Sequence, residues 1–316
     1  MTETALRFNP TAAGAAAAFD SVIDLPSAAA RSAAPARPSR AETPGVQHAG
    51  LPNPFNHLPV ENRRKQVGAV LESKQLAGSF VAHLKDQLHR DGVIRIAVVD
   101  DFSAGQTHGT NVEARILANV PGYLKDRVRI VRYNVGGQDR AGRARVLQRA
   151  ATAAQNKEVV AVSVSGGMQA YGVASIERWV GGPLDRSSVR RAFDATAQRA
   201  ALLPEERAAW ASLARASQRV PVVTPVWNDG NTTLAALTLA GSNGVVTSID
   251  RGNGSEATKV PLADIRMPAQ WRNTKTSQSA PTFIGQALGL LDERSARQAI
   301  HLPPRDSRFR NGGLPQ

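Results

Sequence analysis

From Gly92 onward the chain alternates short runs of β-branched and apolar residues with longer stretches of helical period, and this alternation restricts the fold more than any other feature. The strands read as 93–100 (VIRIAVVD), 128–135 (VRIVRYNV), 158–165 (EVVAVSVS) and 220–227 (VPVVTPVW). The spacing predicts helices between them over 111–118 and 141–155, and a long Arg/Ala-rich stretch over 187–217 broken at Pro204. Nearly continuous apolar strands need cover on both faces, so the expected fold class is α/β: a doubly wound, mostly parallel sheet with helices on both faces. Functional groups on such a sheet collect beyond the carboxyl ends of the strands. A last helix is expected over 277–294, with Ala280, Phe283, Ile284, Ala287, Leu288 and Leu291 turned to the core.

The flanking sequence differs in kind. Residues 1–52 are rich in Ala, Ser and Pro, show no helical or strand period and have little large apolar surface to bury, which predicts a disordered leader. Residues 53–91 place Val67, Val70, Leu71, Leu76, Phe80, Val81, Leu84 and Leu88 at helical spacing, predicting a helical N-terminal extension of one or two helices. The main domain then spans 92–300, and 301–316 is a Pro/Gly/Arg-rich tail expected to be loose.

Several function classes fall away on composition. The chain has no cysteine, so disulfides, thiolate metal sites and cysteine nucleophiles are excluded, and any nucleophile is oxygen or nitrogen. Lys and Arg number 39 against 26 acidic residues, a formal net charge of +13, but the arginines recur at spacings such as Arg140, Arg143, Arg145 and Arg149, as on a solvated helix face. No nucleic-acid module, glycine-rich G-x-G-x-x-G turn or Walker loop accompanies the charge, so nucleic acid is not the expected partner. The Ala-rich run from Ala12 to Ala18 is too weakly hydrophobic for a secretory signal, and no stretch is long and apolar enough to span a bilayer. The expectation is a soluble protein, either cytoplasmic or exported by a specialised bacterial secretion system.

Four short motifs carry groups that could do chemistry. "AVVDD" ends an apolar strand in Asp100, where a shielded carboxylate can hold an imidazole in one tautomer; Asp101 is its rival. "THGTNV" places His108 just before a helix start, with Gly109 and Thr110 allowing a tight turn. "VTPVWNDGN" puts Asn228 directly after a buried strand. "TKTSQSAPTFIG" opens a helix at Ser277, where backbone N–H groups and the positive end of the helix dipole suit a developing oxyanion, although a serine there also serves as a plain N-cap.

In this order, strand-Asp, His-Gly-Thr, strand-Asn and Thr-Ser-x-x-x-Pro, the chain resembles the subtilisin-like serine peptidases over roughly 93–293. The resemblance implies that Asp100, His108 and Ser277 form a catalytic triad and that Asn228 donates to the oxyanion. "VVAVSVSGG" is similar to the family strand that lines the substrate cleft, which implies that Ser165, Gly166 and Gly167 offer backbone to an extended peptide. The spacing to Pro281 favours Ser277 over Ser279, and the strand pattern favours Asp100 over Asp101. The implied activity is a serine endopeptidase acting on a protein or peptide substrate, with no cofactor and no metal in the chemistry.

Three departures accompany the resemblance. Only seven residues separate Asp100 from His108, where the family carries a longer segment with calcium-binding and surface loops. Asn111 stands where the family has a second His, and Lys275 replaces the Gly before Thr-Ser, where a long side chain narrows the cleft. Lys275 and the short segment motivate the alternative, a catalytically inactive binding module that keeps the sheet and the cleft.

Overall fold

The computed structural model describes residues 60–166, 169–228, 230–250, 261–268 and 275–301. The predicted leader and the tail beyond His301 lie outside the described residues, as does Gly167.

The fold is a doubly wound α/β sheet. Six strands, β1 (Ile94–Asp100), β2 (Val128–Asn134), β3 (Ala161–Val164), β5 (Val222–Pro225), β7 (Val245–Asp250) and β8 (Ile265–Pro268), pair in the order β2-β1-β3-β5-β7-β8. Every neighbouring pair is parallel. A separate antiparallel ribbon joins β4 (Ala170–Gly172) to β6 (Asn231–Thr233). The four strands expected from the apolar runs are all present. Strands β7 and β8 were not anticipated: β7 mixes Thr, Ser and Asp into its apolar run, and β8 is four residues long and ends in Pro.

Alternation along each strand sends side chains to opposite faces, and this builds two cores. Ile94, Ile96 and Val98 of β1 face one layer, formed by α1 (Val60–Ser73), α2 (Ala77–Asp91), α3 (His108–Asn119), α9 (Ser279–Ala287) and α10 (Glu293–His301). Ala97 and Val99 face the other, formed by α4 (Arg140–Gln155), α5 (Val173–Val180), α6 (Val189–Arg199), α7 (Pro204–Ala216) and α8 (Leu234–Ala240). Over its described residues the N-terminal extension is therefore one wall of the first core: Val67, Leu71, Leu76, Phe80, Leu84 and Leu88 are all buried in it.

Local signals explain most helix boundaries. Asp139 caps α4 by accepting from the Gly142 N–H at 2.6 Å, and Pro204 opens α7 at the position where its missing N–H costs nothing, ending the Arg/Ala-rich stretch in two helices. The single last helix expected over 277–294 is instead broken. A 3₁₀ turn over Thr276–Gln278 leads into α9, a second over Leu288–Leu290 ends it, and the Asp292 carboxylate accepts from the Ser295 N–H to start α10 afresh. No described helix is long and apolar enough to cross a membrane.

Strand order places the candidate chemistry. The chain leaves β1 to build β2 on one side and returns to build β3 on the other, so the switch point lies between the carboxyl ends of β1 and β3. At such a point the two outgoing connections diverge and leave a crevice. Asp100 ends β1, and Ser165 and Gly166 follow β3.

Candidate active site

The Asp100 side chain is fully buried, and its Oδ1 accepts from the Asp101 N–H at 2.7 Å and from His108 Nδ1 at 2.7 Å. Gly166 closes over it from the end of β3. A Cβ added at Gly166 would lie 2.3 Å from Asp100 Oδ1, so only glycine leaves room for the carboxylate. Asp100 Oδ2 is buried without a hydrogen-bond partner among the described residues.

Seven residues suffice to carry the chain from Asp100 to His108 because the loop is tied at several points. Asp101 Oδ1 accepts from the Ser103 N–H at 2.9 Å, and Gln106 N–H reaches the Ser103 carbonyl at 3.0 Å, closing a turn. Asn134, at the end of β2, accepts from Phe102 N–H at 2.8 Å and from Gly136 N–H at 2.9 Å. Gly109 N–H then donates to the Asp101 carbonyl at 3.1 Å, an approach that a Cβ at Gly109 would block at 2.7 Å. His108 is thereby the first residue of α3 rather than a loop residue ahead of it.

Ser277 sits in the 3₁₀ turn before α9, and its Oγ is 3.1 Å from His108 Nε2. A carboxylate can only accept, so Nδ1 of His108 carries the proton and donates to Asp100. This leaves Nε2 as the acceptor for the Ser277 hydroxyl. The two rivals are engaged elsewhere. Ser279 donates to the Thr276 carbonyl at 2.6 Å and lies 2.7 Å from Thr247 Oγ1, while the Asp101 carboxylate is taken by Ser103.

Asn228 joins the cluster through Thr276. Its Oδ1 accepts from the Thr276 N–H and from the Thr276 hydroxyl, each at 3.0 Å. Because an N–H can only donate, the Asn228 oxygen must face Thr276, and its NH₂ group is turned the other way as a pure donor. The Ser277 N–H precedes the first bond inside the 3₁₀ turn, Gln278 N–H to the Lys275 carbonyl at 3.0 Å. It belongs to the set of helix-start donors that have no partner within the helix. Of the predicted cleft residues, Ser165 is buried, its N–H donates to the Val99 carbonyl at 3.2 Å and its Oγ lies 3.1 Å from Ser163 Oγ.

Sequence reasoning missed Thr276 and Asn134 as positioning residues, and missed what Gly166 does. Thr276 had a signal, as the residue that precedes Ser277 in the Thr-Ser motif. Asn134 had none, since its role appears only once β2 lies beside β1.

The electrostatics raise the basicity of the His108 imidazole. The hydrogen bond to Asp100 holds His108 above its ordinary value of 6.5, against the opposing pull of burial, and the Asp100 charge adds to the rise. Lys275 is exposed, and its charge pushes the same ring down; Asp101 pushes it up. Among the described residues no group of three or more His, Asp or Glu side chains is placed to hold a metal ion.

A buried carboxylate, an imidazole and a hydroxyl in hydrogen-bond sequence can deliver an alkoxide-like nucleophile to an electrophilic carbon and return the proton to a leaving group. Comparison with known proteins finds no matching family model, no matching curated protein and no matching solved structure.

Proposed function

We propose that this chain is a subtilisin-like serine endopeptidase with Asp100, His108 and Ser277 as its triad. The observation that carries the reading is the imidazole of His108 bridging a buried carboxylate at 2.7 Å and a serine hydroxyl at 3.1 Å. In this mechanism Ser277 Oγ attacks the peptide carbonyl as His108 Nε2 takes its proton, and Asp100 stabilises the imidazolium without itself being protonated. His108 then protonates the leaving amine, and water hydrolyses the acyl group from Ser277 by the same route in reverse. The Asn228 NH₂ and the Ser277 N–H are the donors for the oxyanion.

A fluorophosphonate probe tests the reading, since it reacts only with a serine made nucleophilic by a neighbouring base. Labelling of the full chain that disappears in Ser277→Ala is expected; absence of labelling at every pH from 6 to 10 would favour an inactive binding module. One observation speaks for that second reading: the charge of Lys275 opposes the imidazolium that must form on His108.

The same charges set a pH signature. His108 acts as a base only when neutral, so kcat/KM falls as pH drops through its raised pKa. Lys275→Ala removes a charge that lowers this pKa and should move the acid limb to higher pH. Asp101→Asn removes a charge that raises it and should move the limb the other way. Profiles shifting together, or not at all, would detach these charges from the ring that titrates.

A further inference from the structure

We propose that the cleft between α2, α10 and the turn after α4 docks an acidic, extended segment of a partner protein. The cleft lies at the amino ends of the strands, because α2, the 156–157 turn and Arg219 lead into β1, β3 and β5, whereas the triad lies at the carboxyl ends. It is therefore a second site, and the inference stands whether or not the triad is active.

Charge selects the ligand. Lys85, Arg90, Lys157 and Arg219 line the cleft with one carboxylate, Asp86; Arg90 is neutralised by Asp91 at 3.1 Å and Asp86 at 3.4 Å, which leaves Lys85, Lys157 and Arg219 as the cations that define it. Lys85 and Lys157 make no ion pair among the described residues, although Lys85 lies near enough to Asp292, just before α10, to act on its charge. The carboxyl end of α4 would ordinarily contribute negative potential here. It is covered instead: the Gln155 carbonyl accepts from Arg219 at 3.0 Å, and the Lys157 carbonyl accepts from Gln87 at 3.3 Å and lies 2.9 Å from the buried His83 Nε2. What faces solvent is an excess of cationic groups.

Size and lining choose among anions. A volume of about 820 Å³ is far larger than one carboxylate or phosphate needs and matches several residues of polypeptide. No Phe, Tyr or Trp lines it, and of its two imidazoles His83 is buried, so the row of large aromatic faces on which single-stranded nucleic acid stacks is missing. Asn156, Ser295 and Gln298 supply amide and hydroxyl groups suited to a peptide main chain. A partner protein is the better source than the chain itself, because residues 1–59 carry only Glu3, Asp20, Asp24 and Glu42, no two of them closer than four residues, and are balanced by Arg7, Arg31, Arg37 and Arg40.

The test is fluorescence anisotropy of a labelled twelve-residue Glu/Gly/Ser peptide with the full chain carrying Ser277→Ala, so that cleavage cannot mimic dissociation. Saturable binding is expected, weakened at least about tenfold by combined Lys85→Glu, Lys157→Glu and Arg219→Glu and weakened again by added salt. Arg145→Glu with Arg191→Glu, exposed on other helices, should leave it unchanged, and Lys157→Gln alone should weaken it about twofold to threefold should the triple variant not fold. No binding, binding indifferent to the cleft substitutions, or equal loss in the Arg145/Arg191 variant would overturn the proposal. So would an oligonucleotide of equal charge that binds more tightly and is lost on the same cleft substitutions.

Discussion

Ser277→Ala is expected to lower peptide hydrolysis by about 10⁶-fold while leaving the circular dichroism spectrum unchanged. The size follows from how the three groups act. Ser277 Oγ is the only hydroxyl within hydrogen-bond reach of His108 Nε2 among the described residues, because Ser279 is turned inward to Thr247 and the Thr276 carbonyl. Removing it removes the covalent route, and what remains is the oxyanion site and substrate binding. His108→Ala should therefore cost nearly as much, and the double variant scarcely more, since members of one proton-transfer unit are far from additive. Asn228→Ala should cost less, about 10²–10³-fold in turnover, a magnitude that comes from the subtilisin family itself. Its loss also frees Thr276, whose N–H and hydroxyl both donate to Asn228, so a small fall in stability should accompany it. Neutral behaviour of Ser277→Ala in a peptide-cleavage assay with active wild-type protein would remove Ser277 from the mechanism.

Much of this site was legible from residue types because the chemistry demands particular groups at particular places on a parallel sheet. An apolar strand that stops at Asp100, and a histidine and a serine each at a helix start, can be read without coordinates, since strand and helix ends obey local rules. What could not be read depends on which element lies beside which. Gly166 reads in sequence as cleft backbone offered to a peptide, yet in the structure it also vacates the space filled by the Asp100 carboxylate. Asn134 belongs to β2 and holds the loop that follows β1, a contact set by strand order alone. The short Asp100 to His108 segment illustrates the same limit. Its length predicts a strand that feeds almost directly into the helix, and the ties from Asn134, Ser103 and Gly109 that fold the seven residues into a compact turn appear only in three dimensions.

Deleting residues 60–91 is expected to abolish folding of the remainder, and the reason lies in what an amphipathic pattern leaves unsaid. Helical spacing in this segment reveals an apolar stripe but not the surface that receives it, so the sequence shows a helical extension without showing that it belongs to the core. In the structure the stripe packs on β1 and α9, with Val67, Leu71, Leu76, Phe80, Leu84 and Leu88 no more than 1% exposed. Each such side chain contributes about 1.5–3 kcal/mol on burial, so the six together contribute on the order of 10 kcal/mol, comparable to the whole stability of an ordinary domain. Polar links would fail as well. Gln87 accepts from the Arg95 N–H at 2.8 Å and donates to the Glu158 carbonyl at 2.9 Å, and Lys74 pairs with the shielded Asp264 at 3.2 Å. Their loss removes the partners of the Arg95 N–H on β1 and of the Glu158 carbonyl ahead of β3, and leaves Asp264 to Arg186 and the Val246 N–H. A chain starting at residue 92 should therefore show no cooperative thermal transition, whereas one starting at residue 60 should melt as the full chain does. A folded and more active 92–316 fragment would mean that these helices restrain the site rather than build the domain.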